Sequence, residues 1–222
     1  MLLRFVGSIM TDKKLGQELL ENAYKLNTPG DNITFYKAFA PTYDTDFAAQ
    51  LGWQYPQFIA DTYHAQAVGD VPIADIGCGT GYVASALNLP RHLIDGMDIS
   101  PDMLVIARRK NLYRTLYEVD LTGPLETIKN EYGAVLSAGT FTLGHLGPEP
   151  LCNLLSIARS GGLFVIGVYQ AHFEEQNFSE TLDRLLRENK ISPPKIDRVK
   201  IYSKIDHEHA NDQALILQYR KI

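Results

Sequence analysis

The sequence has few cysteines and no excess of basic residues. Its 222 residues include only two cysteines, Cys78 and Cys152, which is too few for a disulfide framework and is typical of a reducing compartment. The 21 lysine and arginine residues are outnumbered by 26 aspartate and glutamate residues, which gives a net charge of -5. This balance argues against a broad nucleic-acid-binding surface and favours small-molecule or protein partners.

Long apolar runs are also absent. The first ten residues are apolar but contain Arg4 and end without a convincing cleavage site, whereas a membrane-spanning helix needs about 20 apolar residues. The sequence therefore predicts a cytoplasmic protein that does not enter a membrane. Because 45% of the residues are hydrophobic, the chain can bury one large core, and one domain with an appendage is the simplest interpretation.

A glycine-rich segment, Gly77-Cys78-Gly79-Thr80-Gly81, follows the apolar run 71–76 and precedes a helical pattern. Glycine permits the tight turn and the close backbone approach that a ligand-binding loop needs at a strand-to-helix junction. A dinucleotide-binding fingerprint requires a third glycine where this chain has Tyr82, which disfavours an NAD-dependent dehydrogenase. Asp75 precedes the loop, and Asp98 ends a second apolar run, where a carboxylate can accept hydrogen bonds from ribose hydroxyls.

Strand-like runs alternate with helical patterns after about residue 50. The predicted strands are 71–76, 93–97, 116–119, 134–138 and 163–169. Helices are predicted over 82–89 and 151–159, the second ending at a C-cap, Gly161-Gly162. Two more are predicted: one begins after its N-cap Ser100, and the other begins at Pro124 and carries Leu125 and Ile128. The runs 199–203 and 214–219 are predicted to form an antiparallel hairpin. This order predicts an α/β fold with a doubly wound, mostly parallel sheet.

Three acidic motifs resemble those of a known family. They are Asp75 to Gly81, Gly96 to Leu104 (Gly-Met-Asp-Ile-Ser-Pro-Asp-Met-Leu), and Val119-Asp120-Leu121. Together they resemble the class I S-adenosylmethionine-dependent methyltransferases, and the segment 137–149 resembles the Williams-Beuren-region methyltransferase-like proteins. The resemblance covers about residues 35–170. It implies S-adenosylmethionine as cofactor, S-adenosylhomocysteine as product, and a seven-stranded Rossmann-like sheet in which one strand near the edge is antiparallel.

The resemblance also implies a role for individual residues. Asp75 would lie near the amino-acid end of the cofactor and hold the loop, Asp98 would accept from the ribose hydroxyls, and Asp120 and Leu121 would meet the adenine. Met103 would pack on the adenine, although it could equally be a core residue. Asp120 could instead cap a helix before Thr122. The other expected cofactor contacts are Tyr36, Tyr43, Gly77, Cys78, Gly79, Gly81, Ile99 and Ser137.

The N-terminal residues 1–50 are predicted to form a helical cap on a methyltransferase domain of residues 51–222. One helical stripe within 12–27 contains Leu15, Leu19, Ala23 and Leu26, and many aromatic residues follow it between Phe35 and Tyr55. A cap would exclude water from an in-line methyl transfer, and tyrosine rings suit a sulfonium cation. The alternative is that these aromatic residues only pack the cap onto the sheet.

His145 is the candidate catalytic residue because it follows the fourth predicted strand, at the sheet edge where ligands bind. A neutral histidine there could take a proton from the methyl acceptor. The alternative is that it shapes the pocket, since the positive sulfur already activates the methyl group. No metal site is predicted. The hypothesis is a methyltransferase acting on a small molecule or a protein side chain, and the alternative is a non-catalytic S-adenosylmethionine-binding scaffold or regulatory subunit.

Overall fold

The computed structural model describes residues 16–125, 128, 131–204 and 208–222. Its strands are β1 (Ile73–Ile76), β2 (Ile94–Asp98), β3 (Thr115–Glu118), β4 (Tyr132–Phe141), β5 (Ala158–Tyr169), β6 (Lys195–Lys200) and β7 (Gln213–Arg220). Its helices are α1 (described over 16–23), α2 (Pro29–Phe39), α3 (Tyr55–Gln66), α4 (Tyr82–Leu87), α5 (Pro101–Lys110), α6 (Pro150–Ile157), α7 (Gln170–Glu175) and α8 (Phe178–Arg187). A π-helical segment, Tyr43–Ala49, connects α2 to α3.

These strands form one sheet in the order β3-β2-β1-β4-β5-β7-β6. Strands β1 to β5 pair in parallel, whereas β7 pairs antiparallel with both β5 and β6. The predicted α/β class, the seven strands, the C-terminal hairpin and the single reversed strand near the edge are therefore confirmed. Every residue of β1 is buried, because helices and connecting segments cover both faces of a parallel sheet.

Two apolar clusters occupy the two faces of the sheet. Strand β4 divides its side chains between them, with Ala134 and Leu136 in one cluster and Val135 in the other. The first cluster also contains Phe39 and Phe47 from the N-terminal helical segments. These segments thus share a core with the sheet. The division of the chain at residue 50 stays a prediction.

The prediction for the C-terminal end of the helix over 151–159 is wrong. Helix α6 ends at Ile157, and β5 begins at Ala158, which pairs with Tyr132 of β4 before the register shifts. Gly161 does not cap the helix. It has a φ of 77°, and its N–H donates to the carbonyl of Lys221 at 2.8 Å, so the glycine serves a bend in the strand.

Other predicted boundaries also shift, and one predicted helix is not tested. Helix α1 ends at residue 23 rather than 27, and a turn leads to Thr28, whose hydroxyl caps α2 by accepting from the N–H of Asp31 at 3.1 Å. Strand β6 begins at Lys195, four residues ahead of the prediction. Most of the helix predicted after Pro124 lies outside the described residues, although Leu125 and Ile128 are buried.

The carboxylate of Asp95 on β2 is fully buried and joins three strands. It accepts hydrogen bonds from Arg114 Nε at 3.0 Å and Arg114 Nη2 at 2.6 Å, and from the backbone N–H of Thr115 at 3.0 Å at the start of β3. The Tyr132 hydroxyl at the start of β4 also donates to it, at 2.8 Å. Four donors therefore compensate the burial of one charge.

We predict that Asp95→Ala lowers the free energy of unfolding by about 3–5 kcal/mol, because it leaves the Arg114 guanidinium and the Tyr132 hydroxyl without their shared partner. Urea titration followed by circular dichroism measures this. Glu188→Ala is the control, since Glu188 pairs with Lys190 at 2.7 Å on the surface, where an ion pair contributes little to stability. Equal losses in both variants would contradict the prediction.

Candidate active site

A cavity of about 300 Å³ lies at the carboxyl edge of the central strands. Its walls come from the loops after β1, β2, β3 and β4, and from N-terminal residues between Asn27 and Tyr43. The strand order reverses between β1 and β4, and open α/β sheets bind ligands at such a reversal because the neighbouring loops diverge there.

The glycine-rich loop leads from β1 directly into α4. Gly77, Gly79 and Gly81 have φ angles of 62°, 51° and 98°, in the left-handed region that favours glycine. A Cβ atom on Gly77 would also collide with the Thr140 side chain. The Thr140 hydroxyl is held in that position because it donates to the carbonyl of Ile76 at 3.1 Å. Backbone groups of the loop therefore border the cavity with no side chain in between.

Asp98, the last residue of β2, places a carboxylate beside this loop. Oδ2 accepts from the N–H of Gly79 at 2.7 Å, and Oδ1 accepts from the N–H of Ser100 at 2.8 Å. Burial raises the pKa of the carboxyl group, and these backbone donors oppose the rise. A carboxylate oxygen can accept more than one hydrogen bond, so both oxygens can still receive a donor from the cavity that Asp98 lines.

The predicted cofactor contacts fall into two groups. Asp75, Gly81 and Ser137 are not among the residues that line the cavity. Asp75 is fully buried and accepts from the Tyr113 hydroxyl at 2.6 Å, and burial raises its pKa to about 7. Ser137 donates to the carbonyl of Ile76 at 2.9 Å. From these positions they support the loop, and their contact with a cofactor stays a prediction. The residues that do line the cavity are Tyr36, Tyr43, Gly77, Cys78, Gly79, Asp98, Ile99, Met103, Asp120, Leu121 and His145.

At two residues the roles that the sequence offered as alternatives do not exclude each other. Asp120 accepts from the N–H and hydroxyl of Thr122 at 2.9 and 2.7 Å, so it caps a turn, and it also lines the cavity. Met103 is only 3% exposed and packs in the protein, yet it borders the same space. A structural role and a ligand contact are therefore compatible at both positions.

His145 and Tyr36 form a hydrogen-bonded pair at the cavity wall. His145 Nδ1 lies 2.8 Å from the carbonyl oxygen of Leu143, which can only accept, so Nδ1 carries the proton. His145 Nε2 lies 2.8 Å from the Tyr36 hydroxyl, which then donates to it. His145 opens onto the cavity but is otherwise surrounded by protein, and this burial lowers its pKa to about 4. At neutral pH the ring is uncharged, and its free nitrogen lone pair is engaged by Tyr36.

The aromatic residues between Phe35 and Tyr55 fall into two groups by position. Tyr36, Tyr43 and Trp53 line the cavity. Phe39 and Phe47 are buried instead and pack in the first apolar cluster. The Tyr36 and Tyr43 rings lie 6.3 Å apart, and the Tyr43 and Trp53 rings lie 6.1 Å apart, so the wall is continuous.

Sequence reasoning missed the residues that hold the N-terminal segment against the loops that border the cavity. Asp44 accepts from the Thr80 hydroxyl in the glycine-rich loop at 2.6 Å and pairs with Lys110 Nζ at 2.5 Å. Asn32 Nδ2 donates to the carbonyl of Gly144 at 3.1 Å. The spacing of Thr28 and Asp31 could have indicated the start of α2, but no local pattern identifies a partner 36 residues away.

Gly144, in the loop between β4 and α6, has a φ of 76°. A Cβ atom there would lie 2.5 Å from the carbonyl oxygen of Ala23 and 3.0 Å from the backbone of Leu26. These are backbone atoms that cannot move aside easily, so the close contact between this loop and the end of α1 requires glycine.

Residues 73–162 match the family model for the methyltransferase domain. A similar solved structure is an S-adenosylmethionine-dependent methyltransferase from Thermotoga maritima, described as a possible histamine N-methyltransferase. The two share 16% identity over 86% of this chain and 99% of the other, with a TM-score of 0.59. A second is a TehB-like S-adenosylmethionine-dependent methyltransferase from Corynebacterium glutamicum, with 18% identity, a TM-score of 0.56, and coverage of 88% and 100%. The chain has the class I methyltransferase fold.

The matched domain contains the glycine-rich loop, Asp98, Asp120 and His145, and together with the fold it supports S-adenosylmethionine as the cofactor. The methyltransferase fold is also shared by the [4+2]-cyclase SpnF, with 17% identity, a TM-score of 0.61, and coverage of 88% of this chain and 97% of that chain. No curated protein sequence matches this chain. The fold therefore identifies a cofactor class more closely than a reaction.

The described part of the chain contains neither a candidate membrane span nor a candidate metal site. None of its helices combines the length and apolar character needed to cross a bilayer. The same part of the chain has no group of three or more histidine, cysteine, aspartate or glutamate side chains that could hold a metal ion.

We predict that His145 titrates near pH 4 and carries its neutral proton on Nδ1. Because its folded pKa lies below its ordinary value of about 6.5, the unfolded chain binds more protons between these values. The resulting contribution to stability is complete above about pH 6.5 and is lost as the pH falls toward 4. Nuclear magnetic resonance of the labelled ring measures both the midpoint and the tautomer.

His145→Gln is the matched variant, because it removes the titrating ring and supplies an amide oxygen as an acceptor in place of Nε2. Its unfolding free energy should depend less on pH in this window than that of the unchanged protein. A midpoint near 6.5, or a proton on Nε2, would contradict the assigned hydrogen bonds.

Proposed function

We propose that this protein is an S-adenosylmethionine-dependent methyltransferase that methylates a small molecule or a protein side chain in a cavity covered by its N-terminal segment. The observation that carries the proposal is that one cavity joins Gly79 and Asp98 to Tyr36 and His145. The first two residues suit a nucleoside-containing cofactor, and the last two supply a hydrogen-bonded pair in the same space.

The residues present fit this cofactor. The side-chain-free backbone at Gly79 leaves room for close approach, and the Asp98 carboxylate has acceptor capacity for two ribose hydroxyls. Asp120 and Leu121 line the neighbouring part of the cavity, after β3, and are assigned to the adenine. When bound, S-adenosylmethionine supplies a methyl group activated by a positive sulfur.

The chain's own contribution is to orient the acceptor and keep water away. The Tyr36 hydroxyl donates to His145, so its oxygen lone pairs are left to accept from an O–H or N–H of the acceptor. His145 thus acts through Tyr36 and fixes the direction of that hydroxyl. This geometry and the lowered pKa of His145 support the pocket-shaping interpretation over a free general base. Alignment of this kind can account for much of a transfer rate.

We also propose that residues 1–50 are the cap, of which residues 16–50 are described. The contacts of Asp44 with Thr80 and of Asn32 with Gly144 support this assignment, because they hold the segment against two loops that border the cavity. The resemblance to the Williams-Beuren-region proteins remains a prediction for the segment 137–149. A non-catalytic binding subunit would use the same cofactor residues, whereas the Tyr36 and His145 pair favours catalysis.

The activity is tested by incubating the purified full-length chain with S-adenosylmethionine and a panel of small amines, thiols, carboxylates and phenols, with mass spectrometry of the products. We expect a methylated acceptor and an equal amount of S-adenosylhomocysteine. Cofactor binding without product from any member would support the binding-subunit alternative. Tighter binding of NAD than of S-adenosylhomocysteine would contradict the cofactor assignment.

We predict that Asp98→Ala weakens S-adenosylhomocysteine binding by roughly 10- to 150-fold, because loss of a charged acceptor for buried hydroxyls costs about 1.5–3 kcal/mol. Isothermal titration calorimetry measures this, and thermal unfolding checks that the variant is folded. Asp102→Ala is the control, since it removes a nearby carboxylate in the first turn of α5 that does not line the cavity. Unchanged affinity in Asp98→Ala would rule out its assigned role.

A further inference from the structure

A second cavity, of about 50 Å³, adjoins the first on the side of the N-terminal segment. Five residues line both spaces, namely Tyr36, Tyr43, Trp53, Gly139 and His145. The two cavities therefore meet at the wall that contains the hydrogen-bonded Tyr36 and His145 pair. We call the smaller one the side cavity.

Aromatic rings make up most of the side-cavity wall. Tyr24 and Tyr169 are stacked with ring centroids 5.5 Å apart, and neither lines the larger cavity. Tyr43 meets Trp53 edge-on at 6.1 Å. Tyr202 completes this wall. Several ring faces around one small space attract an organic cation through their quadrupoles.

The wall of the side cavity carries no formal charge in the described part of the chain. None of its described lining residues is a lysine, arginine, aspartate or glutamate, and His145 is neutral. Behind the wall, the Asp212 carboxylate accepts from the Tyr169 hydroxyl and lies 3.0 Å from His209 Nδ1. An anion would face aromatic π-clouds and this carboxylate, whereas a cation would be attracted by both.

One polar group in the side-cavity wall lacks a partner. The Tyr55 hydroxyl has no hydrogen bond within the described residues, although Tyr55 is only 2% exposed. Its ring end packs over Gly167 on β5, where a Cβ atom would collide with it. A buried hydroxyl left without a partner is unfavourable, and the N–H of a bound ammonium group would supply that partner.

We propose that the side cavity is a binding subsite for a small organic ammonium group, such as a methylated amine. Methyl groups spread the positive charge and fit apolar rings, so such a group is easier to desolvate than a bare ammonium ion. Its position beside Tyr36 and His145 makes it the subsite for the head group of the methyl acceptor. This use as an acceptor subsite rests on the proposed function, whereas ammonium binding itself does not.

Trp53 is the single tryptophan of the chain and lines both cavities, so its fluorescence reports directly on their occupancy. The probe is trimethylammonium chloride, titrated at constant ionic strength with and without saturating S-adenosylhomocysteine. The matched control ligand is tert-butyl alcohol, which has a similar shape and one O–H donor but no charge. We expect a saturable change in Trp53 fluorescence with trimethylammonium that persists when the larger cavity is filled. Binding of the alcohol should be at least about tenfold weaker, because the alcohol lacks the cation–π attraction.

Variants identify where the probe binds. Tyr169→Leu should weaken trimethylammonium binding at least about fivefold and leave S-adenosylhomocysteine affinity unchanged, because Tyr169 lines only the side cavity. Tyr169→Phe should restore binding, since it keeps the ring. Tyr117→Leu, on β3 and away from both cavities, is the control.

Equal binding of the alcohol, no saturable change, or no effect of Tyr169→Leu would each overturn the ammonium subsite. Failure of S-adenosylhomocysteine to bind would instead count against the proposed function. The titration without S-adenosylhomocysteine separates these two failures.

Discussion

The turn from β1 into α4 is the constraint on which the site depends. The chain must reverse within a few residues at the edge of a fully buried strand, and it does so through three glycines with positive φ. Thr140, at the end of the adjacent strand β4, occupies the space that a side chain on Gly77 would need. The loop backbone is therefore held between β4 on one side and the Asp98 carboxylate on the other. Any ligand at this edge meets backbone groups in a fixed arrangement.

Residues between Asn27 and Tyr43 of the N-terminal segment form one wall of the cavity, and two kinds of interaction hold the segment there. Phe39 and Phe47 contribute apolar burial by joining the core cluster on one face of the sheet. Polar contacts then set its position, since Asp44 reaches the glycine-rich loop and Asn32 reaches the loop after β4. Apolar burial has little directional preference, whereas these hydrogen bonds define which residues face the cavity.

Burial also decides the chemistry of the polar groups in this wall. His145 stays neutral because protein surrounds it, and the Leu143 carbonyl selects the tautomer whose second nitrogen accepts from Tyr36. Burial raises the pKa of Tyr36 above its ordinary value as well, so both partners remain uncharged at neutral pH. The wall between the two cavities is consequently a neutral, hydrogen-bonded pair flanked by aromatic rings, which suits orientation and recognition of a neutral or cationic group.

The sequence alone determined the sheet, the glycine-rich loop and the placement of Asp98, because these depend on local patterns: apolar runs of strand length, glycines at a strand-to-helix junction, and an acid at the end of a strand. It misplaced the end of α6, since the pairing of Ala158 with Tyr132 is made across the sheet and outweighs the local glycine signal. Only the tertiary structure decided that Asp75 and Ser137 lie beneath the loop while Asp98 borders the cavity. The partners of Asp44, Asn32 and His145 lie far away in the chain, and folding alone brings them together, so no local pattern encodes their contacts.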